Sequence, residues 1–422
     1  MSTCLTLGIT GDMLLLRGQL KRPRMRYVVN FLPDAGAKER LICEAVAAAH
    51  GCAESTLVYT NTRRTTEQLA DAMRTACNLP ASAPEINAYH AGMAPSLRRA
   101  IEADWREGVI TQLSATIAMG MGMDKPDLPY VIHHQLPRSI GSLYQEASRA
   151  GRAGQDGRWD GFFTLADVFE LLERRHGQLA SGRAEHEYGW GVSIDLLRFL
   201  MDSETCRHVL FERALGGGEH VDAKLCCQPH QPQCDNCARA AAQGADVVTL
   251  ARADWINALL TVMQEQEDAL SSGETLSLRA FARAWLRSPR APTPLWVRPP
   301  LLLLALIHEV LSISFVEIRS LKADDLLQSK PCVVRWSARV SIDMRGRRLA
   351  RTSPALQSVR LPASMWCGET DAGDECCDDL AMEIAAGEED ESDVESKYDF
   401  ESAHESDPES QSDCELEPGV SV

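Results

Sequence analysis

Short apolar runs alternate with amphipathic segments from residue 55 onward, and their spacing predicts the elements of one lobe. Strands are predicted at 55–60, 85–90, 110–116, 130–136 and 159–165. Helices are predicted at 62–77, 94–108, 139–151 and 166–177. Strands that alternate with helices of this length are typical of a parallel sheet flanked by helices. The pattern therefore predicts an α/β lobe over residues 55–178.

Weaker patterns flank this lobe. Residues 1–54 show no clear start of a domain, and residues 179–240 are helical before they become rich in cysteine. Residues 241–366 are apolar and mixed, and we expect a mainly helical region without an assigned role. The longest apolar run, at 301–307, is far shorter than the ~20 residues that cross a bilayer, so it predicts a buried helix and no membrane contact.

The net charge of −17 is unevenly distributed along the chain. Residues 367–422 contain 21 acidic residues against a single basic one, Lys397, and carry −20, which leaves +3 on residues 1–366. A mildly basic remainder is compatible with nucleic-acid binding although the pI of the whole chain is about 5.1. The acidic segment has few large apolar residues, which predicts a disordered tail.

Fourteen cysteines occur without a secretory signal sequence, which predicts an intracellular protein in a reducing compartment. Clustered cysteines in such a compartment bind metal more often than they form disulfides. Cys234 and Cys237 form a CxxC pair that can close a tetrahedral zinc site with two further thiolates. Buried free thiols without a metal are the alternative.

The segment YQEASRAGR (144–152) carries candidate phosphate ligands. On the predicted helix Gln145, Arg149 and Arg152 stand at positions i, i+4 and i+7, so they share one face. Two guanidinium groups on one face can donate to phosphate oxygens and stabilise the charge that develops during phosphoryl transfer. A solvated basic helix face is the alternative interpretation.

A glycine-rich loop, ATIAMGMGMDKPD (115–127), directly follows the predicted strand at 110–116. Ligands of parallel sheets bind where strands end. Gly120 and Gly122 allow a close approach of the backbone, while Thr116 and Asp124 supply a hydroxyl and a carboxylate. A structural turn is the alternative interpretation.

These segments together resemble the helicase motifs of the RecQ family of superfamily 2 DNA helicases. Residues 115–157, from ATIAMGMGMDKPD to GRAGQDG, resemble motifs V and VI. LVYTNTRRTTEQLA (57–70) is similar to motif IV, and AYHAGM (88–93) is similar to the family's YHAG segment. KRPRMRYVV (21–29) resembles the stretch that closes the first lobe, so residues 1–54 are interpreted as a remnant or linker from that lobe. The resemblance implies a RecA-like fold for the second lobe.

The resemblance also implies roles for individual residues. Arg149 and Arg152 are expected to reach the γ-phosphate of ATP across the interface between two lobes, with Gln145 beside them. Residues of the glycine-rich loop are expected to couple the nucleotide state to the grip on DNA: Thr116, Gly120, Gly122 and Asp124. Four further residues are expected on or near the path of the DNA: Asn61, Arg63, His90 and Arg98.

RecQ helicases carry a zinc module after the second lobe, and CRH (206–208) and CCQPHQPQCDNC (226–237) are similar to its cysteine pattern. The implied ligands of a structural zinc ion are Cys206, Cys226, Cys234 and Cys237. Cys226 has the better spacing, Cys227 is its substitute, and His230 is a more distant candidate.

A phosphate cradle of the GxxxxGK[ST] type does not occur in this sequence, and neither does a DExH motif. The stretch DAGAKER (34–40) does not replace the cradle. ATP and Mg²⁺ are therefore expected only if a first lobe is supplied. Two hypotheses follow: the C-terminal part of an ATP-dependent 3′–5′ DNA helicase, or a non-catalytic nucleic-acid-binding module that retains the fold.

The expected partners are single-stranded or forked DNA, a chain that supplies the first lobe, and a basic protein that contacts the acidic tail. The tail is alternatively a solubilising extension, or it competes with DNA for the basic surface. We expect the protein in the nucleus of a eukaryote, or otherwise in the cytoplasm, and not outside the cell.

Overall fold

The structure is a computed structural model, which describes the following residues: 20–32, 34–120, 125–152, 154–180, 186–216, 227, 231–242, 247–269, 278–291, 298–307 and three short strands between 312 and 362. The predicted acidic tail at 367–422 lies outside them. Within this part of the chain, no helix combines the length and the apolar character needed to cross a membrane.

Six parallel strands form the central sheet, in the order β1–β6–β5–β2–β4–β3. They are β1 (Met25–Phe31), β2 (Thr56–Tyr59), β3 (Ile86–Tyr89), β4 (Gln112–Ala115), β5 (Tyr130–His133) and β6 (Gly157–Phe163). The predicted parallel α/β lobe is confirmed, because every neighbouring pair in this sheet is parallel.

Helices connect the strands and cover the sheet. They are α1 (Ala35–Gly51), α2 (Arg63–Ala76), α3 (Pro95–Glu107), α4 (Ile140–Ala147) and α5 (Leu165–Ala180). Side-chain caps fix the starts of three of them, because Asp34, Thr62 and Ser139 each accept a hydrogen bond from a backbone N–H of the first turn. Gly108 ends α3 in the left-handed conformation that glycine adopts without strain.

The central strands are apolar on both faces, which explains their continuous apolar runs in the sequence. All four residues of β2 and of β5 are buried. One face packs into a cluster with Leu57 and Val131, and the other packs into a second cluster with Val58 and Ile132. A parallel sheet that is covered on both faces requires this composition.

The sheet begins earlier than the sequence interpretation placed it. Residues Met25–Phe31 pair with Gly157–Phe163 in register along their whole length, and α1 then packs against α2. Residues 25–51 are therefore a strand and a helix of this lobe, not a linker from a first lobe. The alternating burial of β1, in which Met25, Tyr27, Val29 and Phe31 are buried, is the pattern that a covered edge strand requires.

A cysteine-rich module follows the lobe and consists of α6 (His186–Met201), α7 (Arg207–Leu215), Cys227 and α8 (Asp235–Ala241). Further along the chain lie β7 (Val247–Ala251), α9 (Arg252–Asp268), α10 (Leu278–Arg287), α11 (Arg298–Ile307), β8 (Ser312–Phe315), β9 (Ala338–Ser341) and β10 (Ser358–Pro362). β7 pairs with β10, and β8 pairs with β9, each antiparallel. Leu301, Leu302 and Leu303 are buried, as predicted for the apolar run. The predicted boundaries at 178, 240 and 366 stay predictions.

Candidate functional site

The predicted site residues gather at the carboxyl edge of the parallel sheet. Asn61 follows β2, His90 follows β3 and Thr116 follows β4, while Gln135 lies beyond the end of β5. The backbone N–H of Asn61 donates to Gln135 Oε1 at 2.7 Å, which links two neighbouring strand ends. Parallel sheets bind their ligands at this edge because the strand ends and following loops converge there.

Arg63 is exposed at this edge, and its side chain lies over the backbone of Gly92. A Cβ atom at Gly92 would stand 2.8 Å from Arg63 Nη1, so a larger residue would displace the guanidinium group. The glycine of the YHAG segment therefore allows Arg63 to pass close to the chain. Asn61 also contacts an arginine. When the amide is oriented so that its oxygen faces the donors, Asn61 Oδ1 accepts from Arg174 Nη2 at 3.0 Å and from Arg174 Nη1 at 3.2 Å.

His90 and Arg98 are held by contacts within the lobe. His90 is buried, and its Nε2 lies 3.0 Å from Glu67 Oε1. Arg98 lies beside Tyr89, whose hydroxyl donates to Glu102 Oε1 at 2.5 Å. Burial and the bond to Glu102 raise the pKa of Tyr89 to about 12, against the opposing charge of Arg98. Of the four predicted DNA-path residues, Arg63 alone is classed as exposed.

The glycine-rich loop is only partly described. Thr116 is buried and its N–H donates to the Tyr89 carbonyl at 3.1 Å, after which Ile117–Gly120 form a 3₁₀ turn. Gly122 and Asp124 lie outside the described residues. Lys125 then returns to the lobe, where its Nζ donates to the Trp105 carbonyl at 2.9 Å and lies 4.9 Å from the Trp105 ring centroid.

The predicted helical face of Gln145, Arg149 and Arg152 is wrong. Helix α4 ends at Ala147, so Gln145 lies in its last turn, whereas the two arginines lie in residues 148–152, called here the arginine loop. Gly151 turns the chain with φ of +64°, and its N–H donates to the Leu128 carbonyl at 2.9 Å. The helix has already ended at its C-cap Ser148, and the left-handed Gly151 three residues later turns the chain away from the helix direction before β6. Arg149 is buried at 8% exposure, while Arg152 is exposed.

A buried polar network, which the sequence did not reveal, lies beneath the arginine loop. Trp159 Nε1 donates to His133 Nδ1 at 2.7 Å, and His133 Nε2 lies 2.6 Å from Glu146 Oε2. Because the indole N–H can only donate, His133 Nδ1 accepts, and Nε2 carries the hydrogen that Glu146 receives. Tyr59 stacks on His133 with ring centroids 5.2 Å apart.

Charged groups in and beside the arginine loop shift the pKa of the Tyr59 hydroxyl. Burial raises the pKa of Tyr59, Glu146 raises it further, and the guanidinium groups of Arg149 and Arg152 lower it. Both arginine charges therefore lie near the end of β2 at the carboxyl edge, although the two residues do not share a helix. An arrangement of this kind can present positive charge to an anion bound above the sheet.

Lys38, the lysine of the DAGAKER stretch, points into the lobe. Its Nζ lies 2.9 Å from both carboxylate oxygens of Asp167, and both side chains are buried. Thr164 donates its N–H to Asp167 Oδ2 at 2.7 Å and its hydroxyl at 3.0 Å. Lys38 is thus part of a buried ion pair.

Four thiols of the cysteine-rich module form a candidate metal centre. The Sγ atoms of Cys206, Cys227, Cys234 and Cys237 all lie within 4.8 Å of one another. The Sγ of Cys206 lies 3.7 Å from that of Cys227 and 3.9 Å from that of Cys234. A tetrahedral zinc ion with Zn–S bonds of ~2.3 Å separates its sulfur ligands by ~3.8 Å, so the cluster fits such an ion.

The ligand set differs by one residue from the favoured prediction. Cys227, the substitute, joins the cluster, whereas Cys226 and His230 lie outside the described residues. The bonds that Cys206 receives from Cys227 and Cys234 lower the pKa of the Cys206 thiol, and the same contact raises the pKa of Cys227. A thiol cluster that favours a thiolate is prepared for a cation.

A buried ion pair holds the metal loop to its surroundings. Asp235, between the two cysteines of CDNC, accepts from Arg207 Nε at 2.9 Å and from Arg207 Nη2 at 2.8 Å. The side chain of Arg207 is completely buried, and it also donates to the Phe199 carbonyl. Asp235 Oδ2 additionally accepts from the N–H of Val29 in β1 at 3.3 Å. The module therefore contacts the open edge of the sheet.

The protein-family comparison agrees with this geometry: the model described as helicase conserved C-terminal domain matches residues 37–154. A putative ATP-dependent DNA helicase Q1 of Caenorhabditis elegans is 33% identical over 181 residues, which are 43% of this chain and 26% of the relative. The chain is therefore similar to the C-terminal part of RecQ-family helicases. The RecQ resemblance drawn from the motifs is thus confirmed.

Further similarities show how much of its relatives' length this chain spans. The ATP-dependent DNA helicase RecQ of Pasteurella multocida is 32% identical over 52% of this chain and 31% of its own length. The chain therefore spans about a quarter to a third of the curated relatives named here. Among solved structures, S. cerevisiae Dbp5 bound to RNA and ADP BeF3 is 17% identical, covering 41% of this chain and 44% of that one with a TM-score of 0.35.

Proposed function

We propose that this chain is the ATP-responsive, DNA-contacting half of an ATP-dependent 3′–5′ DNA helicase of the RecQ type. The observation that carries the proposal is the arginine loop at the carboxyl edge, where Arg152 is exposed and both arginine charges reach the end of β2. Phosphoryl transfer is catalysed mainly by positioning and by charge stabilisation, which such arginines supply.

In this proposal Arg152 and Arg149, with Gln145 beside them, face a nucleotide held by a first lobe. ATP with Mg²⁺ would supply the phosphoryl group and the free energy of its hydrolysis. The loop of Thr116, Gly120, Gly122 and Asp124 transmits the nucleotide state to the neighbouring strand ends. There Arg63 contacts the phosphates of a single or forked DNA strand, while three residues shape that surface from below: Asn61, His90 and Arg98.

The chain alone is proposed to be inactive, because it has no GxxxxGK[ST] cradle or DExH motif and its Lys38 is buried against Asp167. A first lobe on another chain, or elsewhere in a longer protein, would hold the nucleotide. The proposed zinc ion is structural and has four thiolate ligands: Cys206, Cys227, Cys234 and Cys237. A closed site of this kind contributes folding free energy and leaves no position for water.

The decisive experiment measures ATP turnover stimulated by single-stranded DNA, with the chain alone and with a separately expressed RecQ first lobe. We expect no turnover by the chain alone and measurable turnover by the pair. Arg152→Ala should reduce the turnover of the pair by about 10³-fold, the scale of a lost arginine finger. Arg24→Ala is the matched control, because Arg24 is an exposed arginine of the same lobe paired with Asp156. Turnover by the pair that survives Arg152→Ala would contradict the proposal.

A non-catalytic nucleic-acid-binding module is the second candidate, favoured by the missing cradle. It predicts salt-sensitive DNA binding with no turnover even when a first lobe is added. In either case we expect roles in DNA repair or recombination, and a nuclear location if the host is eukaryotic. The acidic tail would then contact a basic protein or compete with DNA.

A further inference from the structure

Arg22, which precedes the helicase motifs in the sequence, brackets the arginine loop by donating hydrogen bonds to two of its carbonyl groups. Its Nη1 donates to the Ser148 carbonyl at 2.8 Å, and its Nη2 donates to the Gly151 carbonyl at 2.9 Å. These two carbonyls stand on either side of Arg149, and the second directly precedes Arg152. Ser148 O also accepts from Arg152 Nε at 3.4 Å. One guanidinium group thus spans the loop that presents both arginines.

The chemistry of the pair suits this contact. Helix α4 ends at Ala147, and the last carbonyls of a helix have no partner within the helix. A guanidinium group offers parallel N–H donors in a planar fork and remains charged at all physiological pH values. Two charge-assisted hydrogen bonds to Ser148 and Gly151 therefore fix the distance between the two ends of the loop.

The backbone of Arg22 is itself held by the cysteine-rich module. The Arg22 carbonyl lies 3.0 Å from His208 Nε2. Because a carbonyl can only accept, Nε2 carries the hydrogen, and Nδ1 is directed toward the thiols. That nitrogen lies 3.4 Å from Cys227 Sγ and 3.7 Å from Cys206 Sγ. One imidazole therefore touches both the metal centre and the residue that brackets the arginine loop.

Packing restricts the orientation of this imidazole. The ring of His208 meets the Tyr27 ring edge-on, with centroids 5.1 Å apart and an interplanar angle of 76°. Tyr27 is a buried residue of β1, and β1 pairs with the strand that follows the arginine loop. His208 is therefore held on three sides, by the thiols, the Tyr27 ring and the Arg22 carbonyl.

We propose that Arg22 is a positioning residue for the arginine loop, and that His208 couples it to the metal centre. A filled metal centre holds His208, His208 holds the Arg22 backbone, and the Arg22 side chain holds the carbonyls of Ser148 and Gly151. The consequence for ATP turnover rests on the proposed function, but the coupling itself concerns only contacts within this chain. It gives the zinc module a role in preparing the arginines as well as in folding.

Hydrogen exchange of the metal-loaded full chain tests the positioning role without nucleotide. The reporters are the N–H groups of Arg149, Ala150 and Gly151, which are bonded to Glu146, Ala147 and Leu128. Arg22→Gln should accelerate their exchange by about 10-fold or more, the scale of one lost charge-assisted hydrogen bond. Arg22→Lys should restore part of the protection, because an ammonium group can still reach one carbonyl. Arg24→Gln, an exposed neighbour, should leave it unchanged. Unchanged exchange in Arg22→Gln would overturn the proposal.

The coupling is tested by a double-mutant comparison. His208→Phe removes the N–H donor and keeps the ring against Tyr27, and zinc analysis verifies that the variant retains its metal. We expect faster exchange of the arginine loop in His208→Phe and no additional acceleration when Arg22→Gln is combined with it. Equal acceleration by His208→Phe in the wild-type and Arg22→Gln backgrounds would show independent effects and overturn the coupling. Since ATP is absent, these results are separate from the turnover test of the helicase proposal.

Discussion

The six-stranded lobe and the cysteine-rich module both bury apolar side chains, but of these two regions the module alone contains a cluster of four thiols among the described residues. In the lobe, β2 and β5 are buried along their whole length, and the apolar groups of two clusters cover both sheet faces. In the module, the buried groups around α8 include thiols, Arg207 and Asp235. The burial of one apolar side chain contributes about 1.5–3 kcal/mol in either region. The module adds thiols and a buried ion pair, and the burial of such an ion pair is favourable only when every partner is present.

This difference suggests separate conditions for the two folds. The lobe should form from its apolar pattern alone, whereas the module should require a cation to bring four thiolates together. The Arg22–His208 contact and the Asp235–Val29 bond are two of the points where the module touches the lobe. The module also packs against the lobe through apolar contacts, in which the Phe211 ring lies 5.0 Å from the Tyr27 ring and 5.2 Å from the Tyr144 ring. A change in the module can therefore reach the lobe through both polar and apolar contacts.

Metal removal should have the largest effect and should separate the two regions. Cys234→Ser, or treatment with a strong chelator, is expected to release about one zinc per chain and to unfold the module, because site formation and folding are linked. Metal analysis and peptide-resolved hydrogen exchange measure the two results. The amides of β2 and β5 should keep their protection. Cys52→Ser, at an exposed thiol outside the cluster, is the control. A wild-type chain without zinc would refute the metal assignment.

Breaking the buried ion pair should have the next largest effect. Arg207→Ala leaves the Asp235 carboxylate buried without its bidentate partner, and we expect a loss of about 3–5 kcal/mol in the unfolding free energy of the module. Arg198→Ala is the matched control, because Arg198 pairs with Asp195 at an exposed position and should cost about 1 kcal/mol or less. Denaturant titration followed by a module-specific probe measures both. Similar costs for the two variants would show that the buried ion pair stabilises the module no more than an exposed one.

Acid should weaken the lobe through His134. Burial, reinforced by the nearby charge of Lys38 and opposed by Asp167, lowers the pKa of His134 to about 3. In the unfolded chain His134 has an ordinary pKa of ~6.5, so below that pH the unfolded state binds a proton that the folded state does not. The contribution of His134 to stability is therefore complete above pH ~6.5 and declines as the pH falls. The contribution is at most about 1.4 kcal/mol per pH unit between 6.5 and 3. His134→Gln should flatten this part of the pH profile of the unfolding free energy. An unchanged slope in the variant would show that His134 is not the source of this pH dependence.

The strands and helices of the lobe were largely predictable, because their apolar residues recur with the spacing that is typical of strands and helices. In most cases the observed strands and helices are shorter than predicted by a few residues at their ends, as between the predicted 62–77 and the observed Arg63–Ala76. The arginine helix was misjudged because helical spacing continues through Ser148–Arg152, whereas Gly151 adopts a left-handed conformation stabilised by a distant carbonyl. The local sequence does not indicate that the Leu128 carbonyl is the partner of Gly151.

The remaining differences also depend on contacts between distant residues. The alternation in MRYVVNF could have identified β1, but its partner strand begins more than a hundred residues later. Spacing favoured Cys226 over its neighbour Cys227, whereas Cys227 joins the cluster, because three-dimensional placement and not spacing decides which of two adjacent thiols faces the other ligands. Arg22, His208 and Asp235 were not singled out, since nothing in their own sequence neighbourhoods indicates the carbonyls and amides they bind.

The pairing of β1 with β6 has a consequence for synthesis on the ribosome. Met25 is in register with Gly157, so the first strand of the sheet has no neighbour until the last one has left the exit tunnel. Two strands so far apart in sequence lose loop-closure entropy before their contacts form, and this loss slows folding. Until then β1 presents an apolar, unpaired edge that a second nascent chain could capture. Translation speed and chaperone supply between residues 31 and 163 should therefore influence the yield of this lobe.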